Sequence, residues 1–173
     1  MTAEILAWSR SILTTTPARW LSLCRWVPEE LLLLKPAPGE WSALECLQHI
    51  IDTEKLSMQR RVRALLAGED IPGFDPSVHG SKEAPTLALA DTFDRLRQES
   101  LALLEEVNEA DLIKRSLHAE YGMVTLDQFL HHWAGHDLMH TVQAERALMQ
   151  PFIRGCGPWV ENYADHIARS SQP

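Results

Sequence analysis

The sequence is poor in cysteine, has no long apolar run and carries little positive charge. Its three cysteines, Cys24, Cys46 and Cys156, are widely spaced and form no C-x-x-C pair. They therefore indicate free thiols in a reducing compartment rather than a disulfide framework. The longest apolar runs, such as residues 31–34, are far too short to cross a bilayer. Because the first residues also lack the pattern of a secretory signal, we expect a cytoplasmic protein.

Negative charge exceeds positive charge by a clear margin. The chain has 16 Lys and Arg against 24 Asp and Glu, which gives a formal net charge of -8. Phosphate backbones and anionic lipids repel such a chain, so binding to nucleic acid or to a membrane surface is not expected. The common motifs of nucleotide binding and of serine hydrolases are absent, as is the E-x-x-H pattern of di-iron bundles.

Helical periodicity dominates the chain, and no segment alternates convincingly like a strand. Thr16 followed by Pro17 is typical of a helix start. Ser42 with Glu45, and Thr125 with Gln128, each form a capping-box pattern at the start of a helix. The predicted helices cover 3–13, 16–26, 42–67, 87–107 and 125 to about 150, with a short closing helix over 158–168.

Breaking residues separate these helices. The segment 35–39 (KPAPG) and Gly68 each end a helical stretch, and a loop rich in Pro, Gly and Asp is expected over 69–85. A turn or hairpin is expected near Tyr121 and Gly122. We predict one domain over 1–173, in which an all-α bundle spans about 3–150 and an extension without an assignable motif spans 151–173.

Histidine is the conspicuous residue: the chain has eight, and four of them lie within residues 129–140. Residues four apart share one face of a helix, so His132 and His136, or His136 and His140, can point at one ion. On a helical wheel His140 lies in the middle of the apolar face and His136 lies near it, whereas His132 lies at its margin. The spacing therefore favours His136 and His140 as a pair that faces the bundle interior.

A third ligand must come from another helix. His49 lies about two turns into the second long helix, next to its apolar face. Three neutral imidazoles could meet there and leave a coordination position open, as a catalytic zinc site does. Nitrogen ligands suit Zn, Ni, Fe or Mn, and the sequence does not choose among them. The alternative is that the histidines are hydrogen-bonded core residues without a metal.

Other polar residues near this face could support such a site. Glu54 falls among apolar residues, where it could orient a ligand imidazole or pair with Arg60 or Arg61. Gln143 lies at the edge of the histidine face and could hydrogen-bond within the site. Cys46 could approach the metal, but it is equally expected as a small buried hydrophobe.

Two segments resemble a known family. Residues 41–54 (WSALECLQHIIDTE) and the pattern HxxxHDxxHxxQ at 132–143 are similar to motifs of the DinB/YfiT-like metalloenzyme superfamily. The resemblance implies a four-helix bundle with a long crossover connection and one divalent metal ion bound by His49, His136 and His140. It also implies homodimers. Members with known activities include thiol-dependent S-transferases, which use mycothiol, bacillithiol or glutathione, and a maleylpyruvate isomerase.

The resemblance leaves two functions open. One is a metal-dependent enzyme, either an S-transferase that uses a low-molecular-weight thiol or a hydrolase, which acts on a small-molecule substrate. Its catalytic residues are not identified, beyond Glu54 and Gln143 as supporting candidates. The other is a non-catalytic stress-response protein in which the metal stabilises the bundle. Arginines 60, 61 and 63 could attract an anionic thiol, but a solvated helix face explains them equally well.

Overall fold

The computed structural model describes residues 2–74 and 86–168, and most of them are helical. The helices and strands, in chain order, are α1 (Thr2–Trp26), α2 (Glu29–Leu32), α3 (Ala43–Thr53), α4 (Gln59–Ala67), α5 (Thr86–Glu105), β1 (Arg115–His118), β2 (Gly122–Thr125) and α6 (Leu126–Gly155). A π-helical segment, Glu54–Met58, joins α3 to α4, and two 3-10 segments cover Glu109–Ile113 and Gly157–His166. Most of the predicted loop over 69–85 lies outside the described residues.

The long helices form the predicted four-helix bundle. Helix α1 packs against α5 and α6, and α3 packs against the same two helices. Consecutive long helices, α1 and α3, therefore lie across the diagonal of the bundle, and the chain between them crosses one end. The predicted crossover connection is thus confirmed. No helix within the described residues is both long enough and apolar enough to cross a membrane.

Helix α1 runs without a break through the position where a new helix start was predicted. Pro17 lies inside the helix, and the Thr16 hydroxyl donates to the carbonyl of Ile12 at 2.8 Å instead of capping a new helix. Proline has no N–H, so the carbonyl of Leu13 loses its usual donor. Arg97 Nη1 donates to that carbonyl at 3.0 Å. The prediction of two helices was wrong because a tertiary hydrogen bond replaces the missing helical one.

The second long helix begins and ends where the sequence predicted. Ser42 and Glu45 form the capping box, and Gly68 ends the helix with a left-handed φ of 71°. Between α3 and α4 the π-helical segment inserts a wider turn that begins at Glu54. Such turns are frequent at functional sites.

A small hairpin joins the third and fourth long helices, at the predicted turn. Strands β1 and β2 are antiparallel, and Gly122 has a φ of 71° at the turn. Ile71 adds to the edge of β1 through its N–H, which donates to the carbonyl of Leu117 at 2.8 Å. This docking brings the chain after α4 against the hairpin.

The last long helix extends beyond its predicted end. Thr125 and Gln128 form the predicted capping box, but α6 continues past Pro151 to Gly155. The continuation buries Ile153, which is 4% exposed. The chain then returns, and Gln150 bonds with the backbone of His166 and Ala168. The closing segment lies where a helix was predicted but forms 3-10 turns.

Candidate metal centre

Three histidine side chains meet where α3 packs against α6. His49 projects from α3, and His136 and His140 project from α6, so that ligand nitrogens of the three rings lie within 4.8 Å of one another. The Nε2 atoms of His49 and His136 are 3.1 Å apart. The three ring centroids are separated by 4.5 to 5.2 Å. The structure thus brings together the three residues that the sequence predicted as ligands.

Burial keeps these imidazoles neutral. Burial, with a smaller contribution from His140, lowers the pKa of His49 to about 4. Burial and the neighbouring histidines lower the pKa of His136 to about 2. Burial also lowers the pKa of His140, although its hydrogen bond to Gln143 opposes the shift. A neutral imidazole offers a nitrogen lone pair, which a metal ligand requires.

Gln143 fixes the orientation of one of these rings. Its Oε1 atom lies 2.9 Å from Nδ1 of His140 and accepts the proton of that nitrogen. The Nε2 lone pair of His140 is therefore left for another partner. On His136 the Nδ1 atom is buried without a hydrogen-bond partner among the described residues. Nε2 of the same ring faces His49, so this Nδ1 is directed away from the other rings of the cluster.

Trp41 covers one side of the cluster. Its ring stacks on His140 at 5.7 Å with an interplanar angle of 16°, and it contacts the ring of His49 at 4.9 Å. Trp41 directly precedes the N-cap Ser42, so the capping box also fixes the backbone next to the residue that carries the indole. Trp41 was not among the predicted site residues, although its position directly before the N-cap of the helix that bears His49 indicates a place near the site.

A buried ionic cluster lies beside the histidines. Arg97 of α5 is 0% exposed and forms paired hydrogen bonds with the carboxylates of Glu54 (2.8 and 3.0 Å) and Asp137 (2.7 and 3.2 Å). Burial alone would lower the pKa of Arg97, but the two carboxylates raise it above its ordinary value. The guanidinium thus joins α5 to the second and fourth long helices, and Asp137 is adjacent in sequence to His136.

The partner of Glu54 was not found from the sequence. The sequence predicted either a ligand imidazole or one of Arg60 and Arg61 as this partner, and the structure shows Arg97 instead. Glu54 therefore reaches the histidines only indirectly, through Arg97 and Asp137. The sequence did contain an indication of this partner. Arg97 lies four residues after Phe93 on the apolar face of α5, and a lone arginine on such a face needs an anionic partner.

The remaining candidates lie outside the histidine cluster. His132 is exposed, and its ring centroid lies 5.8 Å from that of His136. Cys46 is fully buried, and burial, with the nearby Glu45, raises the pKa of its thiol to about 12. A protonated buried thiol is a poor ligand, so Cys46 fits the interpretation as a small buried hydrophobe.

A cavity of about 280 Å³ opens next to His132. Its wall combines apolar and polar side chains: Arg61, Ile71, His118, Tyr121, Val124, Gln128, Phe129 and His132. The hairpin, α4 and α6 all contribute to this wall. His132 lines the cavity and also lies beside His136, so the cavity and the histidine cluster are neighbours.

The residues present fit a divalent metal ion. Three neutral nitrogen donors converge from two packed helices, and one of the rings is oriented through its second nitrogen. Three-histidine sites of this kind bind Zn and related metals.

Comparison with known proteins agrees with this architecture. The family pattern described as the DinB superfamily matches residues 12–144, more than half of the chain. The fold is similar to that of YfiT from Bacillus subtilis, described as "a probable metal-dependent hydrolase with an unusual four-helix bundle topology". The two share 18% sequence identity with a TM-score of 0.74, over 85% of this chain and 87% of YfiT. No curated protein shows significant sequence similarity. The chain belongs to the DinB superfamily.

Proposed function

We propose that this protein is a metal-dependent enzyme, either a hydrolase or an S-transferase that uses a low-molecular-weight thiol. The observation that carries the proposal is the convergence of His49, His136 and His140, with their ligand nitrogens within 4.8 Å. These three residues are the proposed ligands of one divalent ion.

Each protein group near the site has a proposed task. The three histidines hold the ion, Gln143 sets the ring orientation of His140, and Trp41 shields one side of the cluster. A divalent ion held by three imidazoles lowers the pKa of a water or thiol and so supplies a nucleophile near neutral pH. The Arg97 cluster combines two carboxylates and one guanidinium, so its net negative charge favours a cation nearby.

Two features support an enzyme over a purely structural metal site. Within the described residues no fourth His, Cys, Asp or Glu joins the three-histidine group, and such a site leaves a coordination position for water or substrate. The neighbouring cavity of about 280 Å³ provides space for a small molecule. The description of YfiT as a hydrolase supports hydrolysis as the first reaction to test.

The test is turnover by protein loaded with Zn, Ni, Fe or Mn. One arm offers ester, amide and phosphoester substrates, and the other offers glutathione, bacillithiol or mycothiol with an electrophile. His136→Ala should lose metal and turnover together, whereas His131→Ala, on the exposed side of the same helix, should keep both. Turnover that persists in metal-free His136→Ala protein would contradict the proposal.

A structural metal gives a different result. In that case metal removal lowers the melting temperature while no metal-loaded form turns over any substrate of either arm. Homodimer formation, a cytoplasmic location and the absence of nucleic-acid binding stay predictions from the sequence.

A further inference from the structure

Two residues on the wall of the cavity beside the histidines each carry a buried side-chain nitrogen that has no hydrogen-bond partner within the described part of the chain. One is Nε2 of His118 and the other is Nε of Arg61; both atoms are buried without a hydrogen-bond partner among the described residues. Buried polar groups in folded proteins are nearly always paired, so two unpaired donors at one cavity need an explanation. Both residues line the same cavity wall.

The hydrogen bonding of His118 makes its free nitrogen a donor. The backbone N–H of Glu120 donates to Nδ1 of His118 at 3.1 Å, so in the neutral ring the proton is on Nε2. Burial, with the nearby Arg61, lowers the pKa of His118 and favours the neutral ring. The side chain is 6% exposed, and Tyr121 covers it at a ring distance of 4.8 Å. An acceptor from outside the chain would satisfy this N–H.

Arg61 adds a positive charge at the same place. Its side chain is half-buried, unlike those of Arg60 and Arg63, which are exposed. Glu120 lies near enough to attract the guanidinium, but within the described residues no carboxylate lies within ion-pair distance of Arg61. Arginine is well suited to bind a carboxylate or a phosphate, because its N–H groups match the geometry of the two oxygens.

The apolar residues of the cavity wall indicate what kind of molecule the cavity accommodates. Ile71, Val124 and Phe129 give the cavity an apolar side, and its volume is at the small end of ligand pockets. His132 completes the wall on the side of His136. We propose that Arg61 and His118 form an anion-binding subsite for a small substrate with a carboxylate or phosphate at one end and an apolar body of about one ring. The reacting group of that substrate would point past His132 to the metal.

The role of this subsite in substrate binding rests on the proposed function, but anion binding is measurable without turnover. The probes are phenylacetate, phenyl phosphate and the neutral phenylacetamide, titrated calorimetrically into the full chain with Zn bound and after Zn removal. A hydrogen bond to a charged group is expected to make at least one anion bind about tenfold more tightly than the amide. Whichever anion binds better identifies the acidic group.

Matched variants locate the binding. Arg61→Gln should remove the preference for the anion, and the exposed neighbour Arg60→Gln should keep it. His118→Phe should weaken anion binding more than His118→Gln, since glutamine retains an N–H donor. Equal affinities for anion and amide, failure of both anions to bind, or a preference that survives Arg61→Gln would overturn the inference.

The same titrations separate this inference from the proposed function. Anion binding by a protein that takes up no metal would support the subsite and reject the metal-dependent enzyme. Metal uptake at the histidines without any anion preference would support the metal site and reject the anion-binding subsite.

Discussion

Gln143 lies one helical turn after His140, and its side-chain oxygen accepts the Nδ1 proton of that imidazole at 2.9 Å. The pair illustrates how one helix supplies both a ligand and the group that orients it. Without the amide, the ring of His140 could rotate and protonate at either nitrogen. Outer groups of this kind commonly set metal affinity through the ligand they hold.

Replacement of Gln143 by Met is therefore expected to weaken metal binding by roughly 10–100-fold while the fold stays intact. Competition with a fluorescent chelator measures the affinity. Gln98→Met, at an exposed position of α5, is the matched control and should retain the wild-type affinity. Equal affinities in the two variants would show that the amide does not act on the ligand.

Replacement of Arg97 by Met should destabilise the protein strongly. The change leaves Glu54 and Asp137 buried at 1% exposure without their cation, and breaking a buried pair in this way costs about 3–5 kcal/mol. Urea unfolding measures the loss. Arg95→Met removes an exposed ion pair with Glu99 on the same helix and should cost at most about 1 kcal/mol. Similar losses in both variants would contradict a structural role for the cluster.

The stability of the metal-free protein should fall in acid. Burial lowers the pKa of His49 from 6.5 to about 4, so the folded state takes up its proton later than the unfolded state does. The contribution of His49 is therefore fully present above pH 6.5 and is lost as the pH falls toward 4, by up to about 1.4 kcal/mol per pH unit. Chemical unfolding between pH 4 and 7.5 measures it.

His49→Gln should make this pH dependence less steep by the share of one imidazole, because a glutamine does not titrate while His136 and His140 still do. His131→Gln, at an exposed position of α6, should keep the wild-type slope. A metal-free wild-type protein equally stable at pH 7 and pH 4.5 would be inconsistent with buried neutral histidines.

Two glycines should respond in opposite directions to alanine. Gly68 ends α4 with a φ of 71°, a conformation that strains an L-residue, so Gly68→Ala should destabilise by about 1 kcal/mol. Gly135 lies inside α6, and an added Cβ would meet no atom within 4 Å. Gly135→Ala should stabilise by roughly 0.5–1 kcal/mol. Thermal unfolding of the two variants measures both effects. A loss of stability in Gly135→Ala would contradict the conclusion that Gly135 is an unhindered position inside a helix.

The histidine cluster was predictable from the sequence because its geometry is mostly local. A spacing of four residues places His136 and His140 on one face of a helix, and the apolar pattern shows which face is buried. The prediction of His49 as the third residue of the cluster needed only one further assumption, that α3 and α6 pack together. The capping boxes at Ser42 and Thr125 likewise depend on residues three apart, and both helix starts were correct.

The features that were missed depend on contacts between distant segments. Arg97 is 43 residues from Glu54 and 40 from Asp137, so their pairing follows from the bundle topology and not from local spacing. The same guanidinium explains why α1 continues through Pro17. The cavity forms because the hairpin docks against α4 and α6, and the spacing of apolar residues along the sequence does not indicate this docking.

The three-histidine metal centre is tested by the metal content of the protein, measured by ICP-MS on tag-free material, together with X-ray absorption at the edge of the bound metal. We predict about one equivalent of a divalent metal with three imidazole nitrogen ligands, lost in His49→Ala and in the double variant His136→Ala/His140→Ala, and retained in His131→Ala. Absence of metal after reconstitution with Zn, Ni, Fe and Mn, or an equivalent of metal that survives in the ligand variants, would contradict metal binding by His49, His136 and His140.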